Sequence, residues 1–322
     1  MKKLFLALLP LFIVSISFSQ ETKAAAEGLH KDASEAKELN DTSSIHWKRG
    51  GTIAINGQQV SLTNWAAGGQ SATSGSGLVS LFANYSKGKF TWNTNLDLAY
   101  GVIKQASNRK WWKNDDRIQL TSKVGHYAFK NTYYTGLLDF KSQFAAGYNY
   151  PNDSVQISNF LAPAYVVAAL GLDFKPVKDL SFFVAPATGR FTFVNDDSLA
   201  KYGAFGVQKE VVDTTTHQVT KHYQKMRAQF GGYFKMMYKK EIMENVTFNT
   251  MLELFSDYLH NPQNLYVNWT TLTSMKVNKF ISATFSTQLI YDDAVMIKDK
   301  DGKVGPRLQV KQVLGVGLSY KF

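Results

Sequence analysis

FTWNTNLDLAYGV, residues Phe90 to Val102, alternates without a break. Phe90, Trp92, Thr94, Leu96, Leu98, Tyr100 and Val102 fall on one face, and Thr91, Asn93, Asn95, Asp97, Ala99 and Gly101 on the other. Side chains of a strand point to opposite faces with a period of two, so this stretch reads as a strand with one apolar and one polar face. VTFNTMLELFSDY, Val246 to Tyr258, repeats the pattern with Thr247, Asn249, Met251, Glu253, Phe255 and Asp257 on the second face. Each run is about 13 residues, well beyond the ordinary strand of about 5 to 6 and suited to a tilted membrane crossing. The aromatics Phe90, Trp92 and Tyr100 sit toward the ends of the apolar face, where a lipid-facing strand meets the interface.

Twelve such segments follow along the chain, near 50–62, 72–86, 90–104, 116–129, 132–144, 163–175, 179–187, 227–240, 246–258, 265–277, 280–292 and 307–322. Their connections alternate in length. Tight gaps fall at Lys87–Lys89, Lys130–Asn131, Pro176–Lys178, Lys240–Asn245 and Asn278–Lys279, whereas 145–162, 188–226 and 293–306 are long. An even number of strands with short turns on one side and long loops on the other predicts an all-β, antiparallel transmembrane barrel of the outer membrane, with periplasmic turns and extracellular loops.

Both ends of the sequence fit this placement. Lys2 and Lys3, the apolar run Leu4 to Ile16, and the small residues Ser17 and Ser19 read as a signal peptide over 1–19, cut between Ser19 and Gln20. Residues 20–46 are rich in Ala, Glu and Lys and read as a periplasmic linker or short helix. The barrel is expected over 47–322. At the other end, VLGVGLSYKF places Leu314, Val316, Leu318, Tyr320 and Phe322 on one face of a last strand, the pattern that barrel-assembly machinery reads. The sequence has no Cys, so neither disulfides nor thiolate chemistry is available. Cleavage would remove Lys2 and Lys3 from the +11 total, leaving +9, which suits an anionic surface such as lipopolysaccharide, a cationic lumen, or soluble loops.

Several stretches also resemble a known family. LTNWAAGG (Leu62 to Gly69), GYNYPNDS (Gly147 to Ser154), FLAPAY (Phe160 to Tyr165), PQNLYVNW (Pro262 to Trp269), IYDD (Ile290 to Asp293) and Gly305 to Phe322 are similar to an uncharacterised group of Bacteroidota outer-membrane proteins, a domain-of-unknown-function family. The resemblance runs from about Trp47 onward and leaves out 205–225. It implies a location and a fold, and it brings no catalytic residues.

The face opposite lipid carries the functional candidates. Asp97, Arg117, Lys123, Asp139, Lys141, Asp173, Lys235, Lys239, Glu253, Asp257, Arg307, Lys311 and Lys321 share the inward parity. Charge at this density is costly to bury unless it is paired or wet, so these residues either pair into a plug or line a narrow pore. The excess of Lys and Arg ranks a channel for small anionic solutes first. A closed structural or surface-binding barrel acting through its loops is the alternative. In the loops, Trp65, Trp111, Trp112, Tyr148 and Tyr150 are candidate contacts for glycans or for lipopolysaccharide, which with membrane lipid, assembly machinery and small solutes completes the expected partners. Nucleic acid is not among them.

Enzymatic and metal readings find little to hold. His126 shares the outward parity of Ile118, Leu120 and Val124, where a membrane-embedded hydrolase would place its base, but no Ser follows at the next outward position. His217 and His222 are five apart in a polar loop and suit no ligand set. Asp299 to Lys303 lacks the Gly and Glu positions of a calcium loop, and the Gly-rich stretch Trp65 to Gly77 lacks the Lys of a phosphate loop. The sequence therefore assigns no catalytic, cofactor or metal residue and expects no enzyme.

Overall fold

Alternation of this kind leaves each strand with two incompatible faces, and closing the sheet on itself separates them. The computed structural model describes residues 46–61, 71–105, 110–278, 281–298 and 303–322. The leader, most of the linker and Trp65 lie outside the described residues. Twelve strands form one closed antiparallel barrel: β1 Trp47–Val60, β2 Ala72–Lys87, β3 Phe90–Gln105, β4 Trp112–Phe129, β5 Thr132–Ser142, β6 Ala164–Val177, β7 Leu180–Phe193, β8 Met226–Met243, β9 Val246–Asp257, β10 Leu265–Lys276, β11 Ile281–Tyr291 and β12 Gln309–Lys321. Neighbours in the ring are neighbours in sequence. The number and order of strands are those of the sequence reading, with one notable extension: β7 runs on to Phe193.

That extension has a local cause. Pro186 has no N–H to give to the ladder and reads as a stop. The strand instead absorbs it in a bulge. Toward β6, Leu170 and Leu172 pair with Ala187 and Val184, and toward β8, Gly231 and Tyr233 pair with Thr188 and Ala185, so β7 carries one extra residue relative to both neighbours. Pro186 and Ala187 are both exposed, and the inward parity passes from Phe183 and Ala185 to Thr188, Arg190 and Thr192.

The outward face is apolar through the middle, with Ile53, Ile55, Leu81, Leu138, Leu170 and Val184 all exposed. Only closed barrels and helices satisfy every backbone group within hydrocarbon, and a closed barrel with this exterior is an outer-membrane barrel. The polar residues on that face serve the tryptophans. Trp92 donates its Nε1–H to Ser122 at 2.9 Å and Trp269 to Thr250 at 2.9 Å, which satisfies two indole donors that lipid cannot. Trp47, Tyr85, Phe90 and Trp92 cluster near the tight-turn rim with ring centroids 5.1 to 6.0 Å apart, the aromatic belt of one interface.

The ring closes between β1 and β12 over Thr52–Ile55 and Leu318–Lys321. Gly51 and Phe322 finish it by exchanging both backbone hydrogen bonds at 3.0 Å. This seam is shorter than every other ladder in the barrel, so its last pair matters. Deleting Phe322 is expected to lower the fraction of protein that migrates as the compact, heat-modifiable form on a gel, whereas Phe322→Tyr keeps both bonds and should assemble normally.

Candidate functional site

The lumen of half the barrel is filled from the wall inward. Leu137 of β5, Ala169 of β6, Phe183 and Ala185 of β7, Tyr233 of β8 and Phe255 of β9 form a buried cluster with Val167 and Tyr266 against it. Above and below this apolar layer the charges are paired. Glu253, 3% exposed, sits at the hub. It accepts from Tyr233 Oη at 2.7 Å and Asn268 Nδ2 at 2.8 Å and pairs with Lys235 at 3.1 Å and Lys141 at 3.4 Å. Lys141 also meets Asp139 at 3.3 Å, and Asp139 accepts from Thr121 and Gln119. The Lys141–Glu253 bridge joins β5 to β9, which stand four strands apart in the ring. It crosses the interior.

A second group lies toward the tight turns. Lys123 pairs with Asp173 at 2.6 Å and lies over the Phe183 ring at 5.3 Å, while Lys175 lies over Tyr133 at 4.9 Å. On the opposite wall Asp97 is 0% exposed and accepts from Ser80, which is 1% exposed, and on β9 Asn249 is 1% exposed. The ammonium-bearing side chains are less covered, with Lys123 24% and Lys141 31% exposed.

The structure places the sequence candidates as follows. Asp97, Lys123, Asp139, Lys141, Asp173, Lys235 and Glu253 face inward, most of them in contact with one another. Arg117 stands on the same inward row as Ala99, Leu78 and Ala54. Lys239 shares the parity of Lys235 nearer the turns, opposite Asn249. Asp257 ends β9 and braces the loop, accepting from Gln229 and from the Leu259 amide. Lys311 stands opposite Gln288, its side chain outside the described residues, as is that of Lys321. Arg307 differs from the expectation. β12 begins at Gln309, so Arg307 lies beyond the wall and donates to the Lys303 carbonyl at 3.4 Å.

Two functional residues escape a reading by parity. Arg190 points inward only because the β7 bulge shifts the register. It bridges to Asp292 at 2.8 Å and stacks over Tyr266 at 4.2 Å, tying β7 to the end of β11 across the mouth. Asp196 organises what lies above.

Residues 194–225, expected as a loop, are a folded cap. Helix α1 (Asp197–Lys201) starts at Asp196, whose carboxylate accepts from the amides of Ser198 and Leu199. The other oxygen of Asp196 accepts from Gln156 and Asn159 of the preceding loop at 2.8 and 3.0 Å. Beneath it, Ala162, Val194, Leu199, Ala200 and Val207 form a small core with Phe205 and Tyr223. A Cβ on Gly206 would stand 2.7 Å from Arg227 Nη1 and 3.0 Å from Ala294, so the cap meets both β8 and the last long loop. Hydrogen bonds from Ser198 first, then Asn159, Leu199 and Gln156, hold the Asp196 carboxyl well below the usual carboxylate range. A depressed value contributes stability above the ordinary carboxylate pKa that is lost as pH falls through the folded value. Exchange protection of the Leu199 and Ala200 amides should hold from neutral pH to about pH 5 and fade only in strong acid. In Asp196→Ala it should be weakened by about 0.5–2 kcal/mol near neutral pH, with the difference from the parent closing in strong acid.

The aromatic candidates divide. Trp112 and Tyr150 stack at 4.8 Å, with Tyr148 6.1 Å from Tyr150, and so hold the loop 145–163 to the start of β4. Trp111 is 53% exposed, with Lys104 at 6.0 Å from its ring.

Comparison with known proteins bears on the first half of the barrel. Residues 57–148 match the family described as "Protein of unknown function (DUF3078)". The match takes in β2 to β5 with Asp97, Arg117, Lys123, Asp139 and Lys141 and ends at Tyr148 in the first ribbon of the loop. The resemblance to a domain-of-unknown-function family thus holds, over a shorter span than the quoted motifs. No curated protein matches the chain. Similar solved structures include an outer membrane channel from Pseudomonas putida F1, 9% identical with a TM-score of 0.40 over 89% of this chain and 100% of that one. The NanC porin is 9% identical with a TM-score of 0.37, over 83% and 98%. Outer membrane phospholipase A from Escherichia coli is 10% identical with a TM-score of 0.37, over 90% and 97%.

Proposed function

We propose that this protein is a closed outer-membrane barrel that acts through its folded extracellular cap, presenting a surface to ligands outside the cell. The observation that supports this most is the Lys141–Glu253 bridge across the lumen, with Asp97, Ser80 and Asn249 buried along its wall. A pore for solutes, ranked first on charge count, needs those groups wet. Three of the cations counted toward it, Lys123, Lys141 and Lys235, are paired with Asp173, Asp139 and Glu253. Proteoliposomes carrying the folded protein should not swell in isotonic small sugars or acetate. Swelling at rates typical of porins would restore the channel.

The loops beside the cap offer chemistry suited to carbohydrate. Trp111 presents a half-open indole face, and Lys110 and Asp153 lie alongside as an exposed pair at 2.6 Å. Trp111→Ala should abolish retention on immobilised lipopolysaccharide oligosaccharide without moving the melting temperature, while Trp112→Ala should loosen the loop by about 0.5–1.5 kcal/mol through loss of the Tyr150 stack. Full retention by Trp111→Ala would remove the glycan reading.

A further inference from the structure

The β7 bulge has a consequence on the outside of the wall. Pro186 interrupts the ladder in the middle of a lipid-facing strand, and Gly171 on β6 answers it: a Cβ there would stand 2.0 Å from the Val184 carbonyl oxygen. On the next strand Gly136, paired with Leu170 on one side and Val124 on the other, leaves a gap in the apolar surface. These features together open a groove of about 810 Å³ on the outer face, floored by Gly136 and walled by Leu170, Val184 and Pro186. Its far end is marked by His126 and Tyr134, a cross-strand pair and both exposed.

That end lies at the tight-turn rim. His126 is three residues before the end of β4 and Tyr134 two after the start of β5. The turn joining those strands holds Lys130, and the turn joining β6 to β7 holds Lys178, both exposed. Lys175, by contrast, is turned inward to Asp173. The groove is therefore apolar along its length with an imidazole and a phenol at one end, and Lys130 and Lys178 stand exposed in the turns of that same rim.

We propose that this groove binds one anionic phospholipid of the periplasmic leaflet. An acyl chain lies over Gly136 between Leu170 and Tyr134, and the phosphate sits at the rim with Lys130 and Lys178, where His126 and Tyr134 donate hydrogen bonds. The apolar lining and the cations in the turns of the same rim match this ligand. A second copy of the chain would leave the rim cations facing each other.

The test uses the full-length mature protein in detergent with equal amounts of dioleoylphosphatidylglycerol and dioleoylphosphatidylcholine, read by native mass spectrometry. One phosphatidylglycerol should remain bound under activation that strips all other lipid, about 10 to 30-fold over phosphatidylcholine. Gly136→Leu, which fills the floor, should remove that adduct. The double variant Lys130→Gln with Lys178→Gln changes only exposed turns and should reduce the preference to parity. Equal retention of the two lipids by the native protein, an adduct indifferent to both variants, or a dimer mass in its place would overturn the assignment.

Discussion

Glu253→Ala is expected to cost the barrel about 3–5 kcal/mol, the penalty for leaving buried charge without its partner. Four groups converge on this carboxylate: the Tyr233 hydroxyl, the Asn268 amide, and the ammonium groups of Lys235 and Lys141. Removing it takes from Lys235 its carboxylate partner and leaves Lys141 with Asp139 alone, beside the buried cluster of Phe183, Leu137 and Phe255. Glu253→Gln keeps the volume and one of the two acceptor oxygens and should lose less. The measurement is the urea midpoint of the compact, heat-modifiable form. Lys110→Ala serves as the contrast, because the Lys110–Asp153 pair is exposed and its loss should not move the midpoint. Equal behaviour of Glu253→Ala and Lys110→Ala would mean that the lumen is wet.

Gly231→Val should prevent a folded barrel from forming. A Cβ at Gly231 would stand 1.8 Å from the Ser256 carbonyl oxygen and 2.8 Å from its carbon, and both are backbone atoms of β9 that no rotamer can move. The close approach sits beside the β7 bulge, where β8 passes from Thr188 to Ala185 in two residues instead of three. Overpacking of this kind costs about 3 kcal/mol or more when no side chain can yield. Gly77→Val is the internal control. Nothing lies within 4 Å of a Cβ there, so that variant should fold as the parent does.

The wall was legible because its two faces differ at every residue. Phe90 to Val102 and Val246 to Tyr258 fall in the structure as their alternation requires, with Asp97, Asn249 and Glu253 buried inward. Periodicity fails where the backbone gains a residue. Pro186 ended the pattern on paper, so the inward turn of Arg190 could not be seen, although an uninterrupted FTFV beyond it, Phe191 to Val194, was the available clue. Pairing was also out of reach. Lys141 and Glu253 are far apart in the chain, and only the closed ring brings β5 and β9 face to face, so the charge count could not say which cations and carboxylates pair. The cap stayed hidden because its order comes from partners on another loop: Asp196 depends on Gln156 and Asn159, and Leu199 on Ala162.

The central claim, a barrel closed through its middle, is tested most directly by single-channel recording of the purified, heat-modifiable protein in a planar bilayer under a salt gradient. A lumen held shut by Glu253, Lys141 and Lys235 predicts insertion without discrete current steps. Steady ohmic steps with an anion-selective reversal potential would contradict it.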